Sequence, residues 1–168
     1  IPTLQYLQKQ NSKIVLISHF GRPEAGVFDS KFSLLPVAKR LAEILNMEIP
    51  LFASTDEVDF NADISLLENI RFLSGELTNE LDLSRKLSDL ADVYVFDAFG
   101  TSHRPHASTY GAIQAAHSAC SGFLLEAETR ALKKATDSKE SPTLSIVGGS
   151  KVSSKLEVIK SLIQISEE

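Results

Sequence analysis

Residues 13–23 read KIVLISHFGRP: an unbroken apolar run, Ile14 to Ile17, then a histidine and an arginine around a glycine, then proline. A strand with one wet face alternates apolar and polar side chains. An unbroken run is buried on both faces, the mark of a parallel sheet covered by helices. The segments that follow keep to that scheme. SLLPVAKRLAEIL (33–45) predicts a helix with Ser33 as N-cap and Leu34, Val37, Leu41 and Leu45 on one face. EIPLFAS (48–54) and ISLLEN (64–69) predict strands, LDLSRKLSDLA (81–91) a helix with Leu83, Leu87 and Leu90 inward, and DVYVFDAF (92–99) a further strand. The order β, α, β, β, α, β predicts an α/β fold: a three-layer, Rossmann-like parallel sheet with helices on both faces.

In such sheets ligands bind beyond the carboxyl ends of the strands. The cationic residues fall there. His19 and Arg22 follow the first apolar strand, Arg71 follows SLLEN, and His103 and Arg104 follow VYVFDAFGT. Arginine grips phosphate or carboxylate through a planar fork and stays charged, so three arginines on one rim predict a clamp for a small phosphorylated or carboxylated molecule. Each arginine taken singly could equally be a loop residue paired with a nearby carboxylate. His19 and His103 read as walls of that site, and His106 and His117 as structural. Asp97 reads as a capping or ion-pair residue and Cys120 as a packed small hydrophobe.

The remaining sequence predicts a helix over IPTLQYLQKQN (1–11), a second over FLLEAETRALKKAT (123–136), a polar joint DSKESP (137–142) and a new strand TLSIV (143–147). GGSK (148–151) follows that strand and opens a last helix, on which Val152, Leu156, Ile159 and Ile163 fall at helical spacing. Paired glycines before a helix N-terminus let a backbone approach an anion closely, and Lys151 and Lys155 stand one turn apart to meet it. The spacing is not that of a P-loop. This last strand-loop-helix reads as the first element of a second α/β domain. The expected boundaries are 1–122 for a substrate domain, 123–141 for a connecting helix and hinge, and 142–168 for the start of the second domain.

Bulk properties narrow the functions open to the chain. At 168 residues and 43% hydrophobic it can bury an ordinary core, and its net charge of -5 gives no general attraction to nucleic acid or acidic membranes. No apolar run approaches the ~20 residues of a membrane-spanning helix. A single cysteine, with no charged-then-apolar leader, sets a cytoplasmic compartment as the expectation. The sole methionine is Met47, and the apolar stripe of the last helix has little sequence after it to cover it. The chain is therefore expected to be a fragment.

SHFGRP (18–23), FSLLPVAKRLAEIL (32–45), LLENIRF (66–72), DVYVFDAFGTSHRPHAST (92–109), GFLLEAE (122–128) and IVGGSKVSSK (146–155) together resemble the phosphoglycerate kinase family, in its order and over nearly the whole chain. Pro105 departs from the small residue usual there. The resemblance implies a domain that binds 3-phosphoglycerate, a connecting helix, and the start of a nucleotide-binding domain. It implies phosphoryl transfer between 1,3-bisphosphoglycerate and ADP with Mg2+, giving 3-phosphoglycerate and ATP after hinge bending. By the same resemblance His19, Phe20, Gly21, Arg22, Arg71, His103 and Arg104 hold the triose, Gly148, Gly149, Lys151 and Lys155 meet the nucleotide, and Lys151 and Arg22 serve catalysis. No metal ligand is expected within the chain, which is expected to be monomeric. The family's opening strand would precede Ile1 and its adenine, ribose and metal elements would follow Glu168, so the isolated chain is expected to turn over negligibly. The alternative reading is a non-catalytic anion-binding or interaction domain of the same fold. A dinucleotide-dependent oxidoreductase is disfavoured, because no G-x-G-x-x-G follows the first strand.

Overall fold

The apolar run of residues 14–17 forms strand β1, Ile14–Leu16, and its side chains still divide between two faces, because a pleated strand points successive residues in opposite directions. The computed structural model describes residues 1–137, 144–149 and 155–166. Helix α1 (Pro2–Lys9) precedes β1; after it come α2 (Leu35–Leu45), β2 (Leu51–Phe52), β3 (Ile64–Leu67) and α3 (Leu81–Ser88). Strand β3 is central and fully buried, with β1 and β2 paired to it in parallel on either side. Ile14 stands opposite Ile64, and Leu51 opposite Leu66.

Two hydrophobic clusters explain the unbroken runs. Ile14, Leu16, Ile64 and Leu66 pack with Leu4 and Leu7 of α1 and with Leu34, Ala38 and Leu41 around α2. Val15, Ile17, Leu67 and Phe52 pack with Leu83 and Leu87 of α3. Each strand thus needs apolar side chains at odd and even positions alike, and the α/β class with parallel strands follows. Leu83 and Leu87 are buried and Leu90 packs partly buried beside them, as the helical spacing predicts. Val37 does not follow the prediction. It is exposed, because the inward stripe of α2 is centred on Leu34, Ala38, Leu41 and Leu45 and Val37 falls on its flank.

A second parallel pair, β4 (Tyr94–Phe96) with β5 (Ala119–Ser121), carries Tyr94 opposite Ala119. Between these strands lie a π-helical turn, Ala107–Gly111, and the short helix α4 (Ala112–Ala115). Cys120 lies exposed on β5, whose three residues are all exposed; the packed environment expected for it is not there. Asp97, just past β4, accepts from the Thr3 hydroxyl (2.6 Å) and from the Leu125 amide (2.9 Å), in the first turn of α5 (Phe123–Asp137). It is a capping residue, as read from the sequence.

The described residues divide into two compact units, Ile1–Glu126 and Ala127–Glu168. In the second, α6 (Leu156–Ile165) carries Leu156, Ile159 and Ile163 of the expected stripe, with Leu156 and Ile163 exposed, while Val152 lies outside the described residues. The strand expected over 143–147 is not found among its described residues. Leu144–Gly149 has no regular structure, and no other described strand in that unit is there to pair with it. No described helix is long and apolar enough to cross a membrane.

Candidate active site

Strands β1 and β3 run parallel, so the loops leaving their carboxyl ends emerge on one rim. The β1 loop carries His19, Phe20, Gly21 and Arg22. The β3 loop carries Glu68, Asn69 and the 3-10 turn Ile70–Phe72 with Arg71. The loop after β4 carries His103 and Arg104.

Buried polar groups lock these loops together, since a buried donor or acceptor without a partner is costly. Asn69 is 0% exposed, and its side-chain amide donates to the carbonyls of Phe20 (2.7 Å) and Phe32 (2.9 Å) while its oxygen accepts from the Arg71 amide (3.2 Å). The Ile70 amide donates to Ser18 O (3.1 Å). Glu68 accepts from the Leu34 amide (2.7 Å) and the Ser33 hydroxyl (2.7 Å), and Ser33 Oγ accepts from the Leu35 amide (3.1 Å). Ser33 is not the N-cap expected of it: that position is Leu34, and the first free amides of α2 are met by Glu68 at the end of β3 and by the Ser33 hydroxyl one residue upstream. Gly21 has φ +61, and a Cβ there would lie 2.4 Å from the Phe32 ring, so only glycine lets the loop pass.

Arg71 differs from a plain rim cation. It is 6% exposed, its guanidinium donates to Gly21 O through Nη1, and its Nε is buried with no partner among the described residues. It thus holds the β1 loop while bringing positive charge beneath it. Burial disfavours its charged form, the Arg104 and Arg22 cations add to that, and the Glu76 carboxylate opposes it. Phe20, Arg22 and His103 are exposed and Arg104 is half-buried.

His19 is half-buried and held below the usual imidazole value of 6.5, first by burial and then by Arg71, Arg104 and His106. Residues from all three loops are therefore within electrostatic reach of one another. His106 is likewise lowered, by burial above all, with Arg71, Arg104 and His103 contributing and Glu76 opposing. It packs among the cations of the rim with its Nδ1 3.7 Å from Glu76, so its structural partner is a carboxylate at the site itself. Because both histidines bind a proton less readily folded than unfolded, stability should fall as the pH drops below about 6.5. Arg104→Ala should raise the His19 pKa toward the usual value, since it removes a repelling cation. NMR titration of the His19 ring reads this directly, and an unmoved pKa would place Arg104 outside the cluster.

In the second unit Gly149 has φ +125, and the Lys155 ammonium donates to Gly148 O, lying where a Gly149 Cβ would be. The two glycines and Lys155 are thus brought together. Lys151 lies outside the described residues. Sequence reasoning passed over Asn69, Glu68 and Glu76, because a buried polar residue in a loop looks like a solvated one until its partners are known.

The sequence profile of phosphoglycerate kinases matches residues 1–168, the whole chain. This chain belongs to the phosphoglycerate kinase family. It is 50% identical over 166 residues to a phosphoglycerate kinase of Francisella tularensis subsp. novicida, covering 97% of this chain and 42% of that protein. It is 46% identical over 165 residues to that of Desulfovibrio desulfuricans, covering 98% and 42%. The structure of phosphoglycerate kinase from Coxiella burnetii superposes with a TM-score of 0.92 at 39% identity, over 99% of this chain and 43% of that one. The Pyrococcus horikoshii enzyme gives 0.80 at 29% identity, over 98% and 43%. The chain spans less than half the length of these phosphoglycerate kinases.

Proposed function

We propose that the rim formed by His19, Phe20, Gly21, Arg22, Arg71, His103 and Arg104 binds 3-phosphoglycerate, and that the whole protein catalyses 1,3-bisphosphoglycerate + ADP to 3-phosphoglycerate + ATP in the cytoplasm. The observation that carries the reading is that Arg71 of the β3 loop stands within repulsive reach of Arg22 and Arg104 from the two other loops, and His19 within reach of Arg71 and Arg104, in a chain whose net charge is -5. Like charges gathered at such a cost need a counter-charge. A molecule with a phosphate at one end and a carboxylate or acyl phosphate at the other supplies one for two separate arginines.

In this reaction the acyl-oxygen bond to phosphorus breaks, the phosphoryl group passes to the terminal phosphate oxygen of ADP, and the carboxylate leaves. Little covalent chemistry falls to the protein, so positioning and charge stabilisation carry catalysis. Arg22 and Arg104 orient the triose, and Arg71 fixes the β1 loop beneath it. Gly148, Gly149, Lys151 and Lys155 are assigned to the nucleotide phosphates, with Lys151 and Arg22 facing the transferring group; the unobstructed backbone at Gly148, with the Lys155 ammonium on its carbonyl, suits an anion. Magnesium, bound with the nucleotide, would neutralise phosphate charge. Its protein ligand is assigned, on the family resemblance, to sequence elsewhere in the whole protein. Residues 1–122, 123–141 and 142–168 are assigned to the substrate domain, the connecting hinge and the start of the nucleotide domain.

Calorimetric titration of the chain with 3-phosphoglycerate should give saturable one-to-one binding, and a coupled assay on the same chain should give negligible turnover. Absence of binding by the folded chain would overturn the assignment of the rim. Normal turnover would overturn the assignment of nucleotide and metal elements to sequence outside these residues.

A further inference from the structure

We infer that Glu76 is a positioning residue of the anion site: its buried carboxylate ties the loop that carries Arg104 to the turn that carries Arg71, and so sets where the two arginines stand. The inference rests on the reading of the rim as the triose site.

Glu76 is 2% exposed, five residues beyond Arg71 in a continuous series of turns, with the Leu73 amide on Ile70 O (3.1 Å) and the Glu76 amide on Leu73 O (3.4 Å). Its two carboxylate oxygens accept separately from one residue, Ser108: the hydroxyl at 2.6 Å and the amide at 2.9 Å. Its backbone carbonyl accepts from the Ala107 amide (2.9 Å), and His106 Nδ1 lies 3.7 Å from the carboxylate. Tyr94 of β4 donates to Ser108 O (2.7 Å), so every polar group of Ser108 is engaged.

From Ser108 the connection to Arg104 is short. The neighbouring Thr109 hydroxyl donates to Arg104 O (2.6 Å) and accepts from the His106 amide (3.3 Å), closing residues 104–109 into a tight loop. The Arg104 amide is held in turn by Thr101 O (2.9 Å). A carboxylate accepts from both Ser108 donors at once. Glutamine has one acceptor oxygen for the Ser108 amide and would have to donate to the hydroxyl oxygen instead, so two charge-assisted bonds are exchanged for weaker neutral ones. Glu76 is also the carboxylate that opposes the lowering of both Arg71 and His106.

Two roles for Glu76 predict opposite results. A carboxylate that only balances charge weakens the attraction of the rim for an anion, so Glu76→Gln would tighten binding. A carboxylate that positions Arg104 makes the same change weaken it. The test is titration of wild type, Glu76→Gln, Ser108→Ala and the double variant with 3-phosphoglycerate, at a temperature where thermal melts show each fully folded. We expect Glu76→Gln to raise Kd about tenfold, as for displacing one charge-assisted contact, and Ser108→Ala to raise it about threefold. The double variant should be no worse than Glu76→Gln, because both act through one contact.

Unchanged or tighter binding by folded Glu76→Gln, or additive effects in the double variant, overturns the inference. Should Glu76→Gln not fold, Ser108→Ala decides it, since that variant keeps the carboxylate: a raised Kd supports the inference and an unchanged one overturns it. If the wild-type chain fails to bind 3-phosphoglycerate, the triose reading falls, and the positioning role is read from NMR instead. Glu76→Gln should then lower the titration of His106, which faces Glu76, Arg71, Arg104, His103 and His19, and should speed amide exchange at Ser108 and Arg104. Exchange unchanged at Arg104 would overturn it.

Discussion

Replacing Arg22 and Arg104 together by alanine should weaken binding of 3-phosphoglycerate by about 100-fold or more while leaving the chain folded. Hydrogen bonds to charged groups are worth ~1.5–3 kcal/mol each, and Arg22 is exposed and so belongs at the low end; two contacts near ~1.5 kcal/mol give roughly two powers of ten. Stability should hold, because both side chains repel Arg71 and Arg104 also repels His19. Removing them relieves a strain that exists in the unliganded protein. That separation of affinity from stability is the mark of a binding site, since a cation kept for folding would take stability with it. Arg40→Ala supplies the control. Arg40 lies exposed on α2, paired with Glu43 at 2.7 Å, and its loss removes an arginine charge away from the rim, one where the double variant removes two. Equal binding by wild type and the double variant, or equal losses in the double variant and Arg40→Ala, would show that the rim does not hold the anion.

The parts of this site that were legible in the sequence are those whose chemistry is uncommon. Histidine and arginine just beyond an apolar run stand out, and the parallel α/β scheme says which end of the strand they occupy. The supports are of another kind. Asn69, Glu68 and Glu76 are polar residues in short loops, the usual composition of solvated turns, and only the backbone groups brought to them from distant sequence make them internal. Strand β5 was missed because Ala119–Ser121 is three small residues with neither apolar run nor alternation, and its pairing with β4 is a tertiary fact. The expected strand over 143–147 shows the converse: an apolar run favours a strand only where another strand accepts its hydrogen bonds. Val37 marks a smaller limit, since helical spacing names a stripe and leaves its exact centre to the packing of the helix on the sheet.

Asn69→Ala should cost about 3 kcal/mol or more, read as a lower urea midpoint, because it orphans the Phe20 and Phe32 carbonyls and the Arg71 amide at a residue with no exposed surface. Against a typical domain stability of about 5–15 kcal/mol, that is a large fraction. Asn69→Asp separates the loss of bonds from the loss of volume. Aspartate keeps the oxygen that accepts from the Arg71 amide but turns a donor into a second acceptor, aimed at two carbonyls and adjacent to the buried Glu68 carboxylate. The ionised form should be at least as unstable as the alanine variant. The protonated form can donate to one of the carbonyls, so folding should hold its proton more tightly than the unfolded chain does. The folded state then binds more protons, and the stability of Asn69→Asp relative to wild type should fall as the pH rises through the carboxylate range. A pH-independent difference, or an alanine variant within about 0.5 kcal/mol of wild type, would mean that the Phe20 and Phe32 carbonyls find water instead. The β1 loop would then be held on the rim by Arg71, by the Ile70 amide and by the Gly26 amide on Phe72 O (2.7 Å).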